Sequence, residues 1–150
     1  MKKFKFSLDT VLDYKQQVLD ALRGEHAVIL AQVRAQEEVL EAVWGRYRTY
    51  NEEYRVRKAE GLTIIDATLY QNGLRAVEGE IQRETDRLEE LRKKEDAKRQ
   101  EVVDAKIDTS SIEKLREKKL DLYNKEAAKA EERFLEEFVS TTRANQSASA

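Results

Sequence analysis

The apolar positions of this chain recur in alternating steps of four and three. From Leu8 the count runs through Leu12, Lys15, Leu19, Leu22, His26, Ile29, Val33, Gln36, Leu40, Val43, Tyr47, Tyr50 and Tyr54, and eleven of these fourteen residues are large apolar or aromatic. Such steps keep one face of a helix turned towards a partner, and a pattern held for more than six heptads is that of a coiled-coil helix. Its start is marked near Ser7, a capping residue type, with Asp9 in the first turn where the helix dipole favours negative charge and Phe6 set to staple onto Val11. The first helix is expected over about 7–58.

After Lys58 the stretch "AEGLTIIDA" changes character. Gly61 suits a helix C-terminus, and Thr63 followed three residues later by Asp66 reads as a capping box, so a turn is expected over about 59–65 and a second helix over about 66–138. The second helix carries the same period through Tyr70, Leu74, Val77, Ile81, Leu88, Leu91, Val102 and Ala105, interrupted by Glu84, Glu95 and Lys98. Around "DTSSIEKL" the phase slips, because Leu120, Tyr123, Ala127, Ala130, Phe134 and Phe138 do not continue the earlier count. Either a stutter or a short break near 108–111 accounts for it, and a stutter is favoured.

A short connection between two long amphipathic helices makes them antiparallel neighbours, although heptads alone also allow parallel dimers of unfolded-back helices. The expected fold is all-α: a long antiparallel two-helix coiled coil over 1–140, with an overhanging C-terminal helix and a disordered tail over 141–150. Folding about 61–63 sets Tyr54 near Tyr70 and Leu8 near residue 116, leaving residues from about 118 onward to project. The tail, "TTRANQSASA", is small, polar and nearly uncharged.

Composition narrows the function. Charged residues make up 39% of the chain and there is no proline, so little stops a helix from running on. Lys and Arg total 28 against 30 Asp and Glu with the signs interleaved, which argues against a nucleic-acid partner. The absence of cysteine removes disulfide and thiolate chemistry. "MKKFKFSLD" lacks the apolar stretch of a signal peptide, so a soluble, unprocessed chain is expected.

Catalytic inventory is equally thin. No Gly-rich phosphate loop, HExxH or Cys pair occurs, and the single His26 lies in the seam, where a polar residue tunes register more often than it binds metal. Carboxylate pairs such as Glu89 with Glu90 read as solvated surface, and "LRKKEDAKR" at 91–99 as a solvated face with intrahelical ion pairs. Neither a catalytic residue, a cofactor, a metal nor a small-molecule substrate is expected.

Surfaces for other proteins remain. Tyr47, Tyr50 and Tyr54 either fill a widening core beside the turn or present, with Leu69, Tyr70 and Leu74, an aromatic patch; both roles are compatible. Phe134 and Phe138 need burial against Phe4 and Phe6, a second copy, or a partner.

The opening "FKFSLDTVLDYKQQVLDALRGEHA", the turn "YNEEYRVRKAEGLTIIDATLYQNGLRAVEGEI" and the late "EKLREKKLDLYNKEAAKAEERFLEEF" resemble the flagellar export protein FliJ family, nearly end to end. The resemblance implies a non-enzymatic component of the flagellar type III export apparatus, cytoplasmic and peripheral to the inner-membrane machinery. Such a stalk-like coiled coil promotes assembly of the hexameric export ATPase ring, binds the cytoplasmic domain of the membrane export gate and escorts export chaperones. Carried over by position, the gate surface matches Tyr50, Tyr54 and Val77, and the aromatic patch beside the turn adds Tyr47, Tyr70 and Leu74 to it. The family often has a bulky residue where this chain has Gly73, and Leu74 is the substitute. The ATPase end comprises Phe4, Phe6, Leu8, Leu12, Phe134 and Phe138. The rival reading is a generic cytoplasmic coiled-coil scaffold or chaperone unrelated to secretion.

Overall fold

The computed structural model describes residues 2–149. These form two helices packed against each other, α1 (Asp9–Glu60) and α2 (Ile64–Ala148), and no strand occurs among the described residues. α1 ends where Gly61 takes a φ of 106°, a conformation that a side chain would strain, and the Gly61 N–H returns to the Arg57 carbonyl at 3.0 Å. α2 opens on Thr63, whose hydroxyl accepts from the Asp66 N–H at 3.1 Å and whose carbonyl accepts from the Ala67 N–H at 3.0 Å. Arg57 and Lys58 in the last turn of α1 and Asp66 in the first turn of α2 complement the helix dipoles.

The chain divides into two units, and the unit Asp20–Val103 contains the turn. Moving back along α1 from the turn, its partners advance along α2: Glu53 meets Tyr70, Tyr47 meets Glu78, Gln36 meets Glu84, and His26 meets Glu95. The two helices of this unit therefore lie in opposite directions, and the expected approach of Tyr54 to Tyr70 is found as stacked rings 5.3 Å apart. Val33, Val43, Tyr54, Ile81 and Leu88 form its buried core. Each such aliphatic side chain, once fully buried, contributes about 1.5–3 kcal/mol.

Polar interruptions in the two seams face one another. The Gln36 amide donates to the Glu84 carboxylate at 2.5 Å and to its carbonyl at 3.0 Å, while Arg87 donates to the same carboxylate at 2.7 Å. One turn region further on, His26 Nε2 lies 2.8 Å from Glu95 Oε1, and Arg99 donates to both Glu95 oxygens at 3.1 and 2.5 Å. A buried carboxylate is tolerated only when its oxygens are bonded, and these are. A slip of seven residues would set Glu84 against Ile29 or Val43 and Glu95 against Val33. Facing polar pairs of this kind penalise a slipped register.

Arg99 first, and His26 second, hold the Glu95 carboxyl down to about 2 from an ordinary 4.5. A depressed carboxylate adds stability that is complete above its unfolded value and is lost as pH falls from about 4.5 towards 2. Thermal midpoints followed by circular dichroism should fall across that interval, and Glu95→Gln should remove this part of the slope. A Glu95→Gln midpoint that drops as steeply as the parent's would contradict the assignment.

The second unit joins the residues up to Leu19 with those from Asp104 onward. Here Lys15 pairs with Asp108, Gln16 donates to Glu113 at 3.1 Å, Arg116 donates to Asp9 at 3.2 Å, and Tyr123 donates to the Lys2 carbonyl at 2.6 Å. These helices also oppose each other, and Leu8 falls beside residue 116 as the register requires. Phe6, Leu12, Leu19 and Thr109 are its buried residues; Thr109 is 1% exposed, its hydroxyl donating to the Ala105 carbonyl at 2.8 Å.

Covered positions of α2 in this unit include Ala105, Thr109, Ile112, Arg116, Leu120, Tyr123 and Ala127, with Ser110 and Glu113 half-buried beside them. Two consecutive steps of four, from Ile112 to Leu120, replace the usual alternation while α2 stays helical, so the phase slip is a stutter and not a break. From residue 128 to residue 149 every residue is exposed. The segment 141–148, expected to be disordered, departs from that expectation by continuing α2. A helix satisfies its own backbone without a tertiary partner, and the Thr142 and Ser147 hydroxyls bond back to the Phe138 and Ala144 carbonyls at 2.8 and 2.9 Å.

Candidate functional site

Towards the turn, the seam of the unit Asp20–Val103 changes from aliphatic to aromatic. Tyr70 on α2 lies between two rings of α1, with its centroid 5.1 Å from that of Tyr50 and 5.3 Å from that of Tyr54. Helical spacing of three and four aligns the α1 rings, and the amphipathic phenol lets each bury its body while its hydroxyl reaches the edge of the seam. The Tyr70 hydroxyl donates to Glu53 at 2.9 Å, and this hydrogen bond, followed by burial, raises its pKa. Tyr47 donates to Glu78 at 3.4 Å and Tyr50 to the Leu69 carbonyl at 3.5 Å, while the Tyr54 hydroxyl accepts from Gln71 at 3.4 Å. The Lys58 ammonium closes the cluster, 4.6 Å from the centre of the Tyr54 ring.

Gly73 explains how Tyr50 fits. A Cβ built there would stand 2.5 Å from the Tyr50 hydroxyl oxygen and 2.6 Å from the nearest ring carbon, so the Tyr50 ring occupies the space that a side chain at residue 73 would need. Leu74, the next residue, is half-buried in the seam.

All six residues expected at this end lie along one seam, but not as one open patch. Tyr54 is only 9% exposed, and Tyr47, Tyr50, Tyr70, Leu74 and Val77 are half-buried. More open apolar surface comes from Leu69, already expected in the patch, and from residues outside the count: Ile64 at 86% exposed, Ile65, Val56 and Trp44, the last edge-on to Tyr47 at 5.8 Å. Their signal in the sequence was that each is large and apolar yet falls off the seam spacing, which leaves it no partner across the pair.

In the unit that holds the chain's ends, the other six expected residues split. Phe6 and Leu12 are buried, and Leu8 and Phe4 are half-buried. The Phe4 ring lies 5.5 Å from that of Tyr123 under the Arg116 guanidinium at 5.6 Å, and the Lys119 ammonium stands 5.8 Å from Phe6. Tyr123, named in the late stripe, was not recognised as the ring that receives Phe4. Phe134 and Phe138 are not buried against Phe4 and Phe6; they are 66% and 61% exposed, with Leu135 and Val139 exposed beside them.

The arrangement offers aromatic and apolar contact surface fringed by charge. Among the described residues no group of three or more His, Asp or Glu is placed to hold a metal ion, and no helix is long and apolar enough to cross a membrane. A family model described as Flagellar FliJ protein matches residues 4–148. No curated protein and no solved structure matches the chain.

Proposed function

Because the chain belongs to the flagellar FliJ family, and so has a role connected with flagellar protein export, we propose that it is a non-enzymatic, stalk-like coiled-coil hairpin of the export apparatus. Its terminal end engages the hexameric export ATPase, its turn end engages the cytoplasmic domain of the membrane export gate, and export chaperones are further passengers. The working location is the cytoplasmic side of the inner-membrane apparatus. The overhang expected from the sequence is, on this reading, the exposed stretch of α2 beyond residue 127, which enters the ring.

One observation carries the reading: Phe134 and Phe138 are exposed on a helix whose seam is covered by its partner only as far as Ala127. Large aromatic side chains of this kind are the usual anchors of a protein interface. Adding the purified chain to the isolated ATPase should raise ring assembly and ATP turnover several-fold. The double variant Phe134→Ser with Phe138→Ser should lose most of that stimulation while keeping the parent's helicity, since both side chains are open to solvent. Stimulation by the double variant equal to the parent's removes this end from the contact. No stimulation by the parent removes the ATPase from its partners.

A further inference from the structure

The non-helical residues before α1 lie against α2. The Tyr123 hydroxyl holds the Lys2 carbonyl at 2.6 Å, Phe4 packs on Tyr123, and Phe6 is buried below Lys119. Between this segment and α2 a groove of about 890 Å³ opens. Lys2, Lys3, Lys5 and Lys119 rim it, Phe4, Leu122 and Tyr123 make its floor, and Glu126 is the one acidic residue that lines it. Some lysines on the helices have acidic partners, as Lys15 has Asp108, Lys98 has Glu25 and Lys125 has Asp121. The four rim lysines form no ion pair among the described residues, and Leu122 is exposed in the floor.

We propose that this groove docks a short acidic segment of a partner protein, with carboxylates on the rim lysines and an apolar side chain against Leu122 and Phe4. Charge complementarity selects carboxylates, and the apolar floor selects a chain that also carries a hydrophobic residue. A bilayer fits less well, because the phenylalanines that would enter it are already packed on α2 and Leu122 lines a concavity. A nucleic-acid backbone presents a phosphate at every step and needs a longer basic track, whereas here Glu126 interrupts the lysines and the whole chain carries a net charge of -2. Exposed ion pairs are individually weak and screened by salt, so affinity should fall as salt rises and should depend on the apolar contact as well.

The proposal rests on the reading of this end as a docking end, and names what it docks. The test uses the full chain and a fluorescein-labelled peptide in which four glutamates flank two leucines, read by fluorescence anisotropy at low salt. The peptide is expected to bind, and the same peptide with glutamine for every glutamate is not. Lys3→Glu with Lys5→Glu should weaken binding at least tenfold, and Leu122→Ser several-fold, with thermal midpoints unchanged because all three side chains are exposed. Absence of peptide binding, or binding that ignores both variants, overturns the proposal. So does binding of a DNA duplex or of phosphatidylglycerol vesicles that is lost in the lysine variant while the peptide stays unbound. If the peptide fails yet the chain still stimulates the ATPase, the groove falls and the docking end stands; a bound peptide with no ATPase stimulation gives the reverse.

Discussion

Tyr54→Ala is expected to lower the unfolding free energy by about 3 kcal/mol, and Tyr50→Ala by about 1 kcal/mol or less. The difference follows from cover. Tyr54 is 9% exposed, stacked on Tyr70 and capped by Lys58, so truncation leaves a void between rings that the two helices cannot easily close. Tyr50 lies half-covered over Gly73, and its loss uncovers a glycine without creating an enclosed cavity. Binding to the gate's cytoplasmic domain should rank the other way, with Tyr50→Ala weakening it about tenfold because its ring is open to a partner. Combining the two substitutions should leave far-UV helicity at room temperature nearly unchanged. Urea titration with a binding isotherm on each variant separates the roles. Should Tyr50→Ala keep full affinity while its unfolding midpoint collapses, the tyrosines are core alone.

Gln36→Leu should cost about 3 kcal/mol, as much as a core truncation although no volume is removed. It takes the amide away from Glu84, which is 8% exposed and would then face a leucine with only Arg87 left to hold it. Adding Glu84→Leu should recover the loss and pass the parent, since a well-packed apolar layer commonly matches or exceeds a buried polar one. Register should suffer instead. Spin labels at the exposed positions Glu41 and Arg83 should give one narrow distance in the parent. In the double leucine variant a second population is expected, displaced by roughly 10 Å, the length of a seven-residue slip. A double variant with one narrow distance, or a single variant as stable as the parent, removes this role from the Gln36–Glu84 layer.

The α1 seam was legible in full because its period is local: all fourteen positions from Leu8 to Tyr54 are buried or half-buried. Turn chemistry was legible for the same reason, since Gly61 and Thr63 act on their own neighbours. What the sequence did not reveal depends on which residue lies opposite. Glu84 and Glu95 looked like flaws in a weaker seam until Gln36 and His26 were found facing them. Gly73 looked like a lost contact until the Tyr50 ring was found above it. The lysine groove needs residues 2–5 to fold onto a helix more than a hundred positions away, which no window of sequence contains. Helix in 141–148 went against composition, because small polar residues argue for disorder when nothing packs on them, and here backbone and hydroxyl bonds within the helix suffice.

The reversal at Gly61 also sets an order of assembly. Glu53 and Tyr70 are 17 residues apart, whereas Lys2 and Tyr123 are 121 apart. Closing a short loop loses less chain entropy than closing a long one, so contacts beside the turn form first and those of Lys2 last. During translation the first fifty-odd residues leave the ribosome before any of their counterpart exists. The nascent chain therefore carries a bare apolar stripe until residues beyond Thr63 emerge, and in that interval it is a natural client for a holdase.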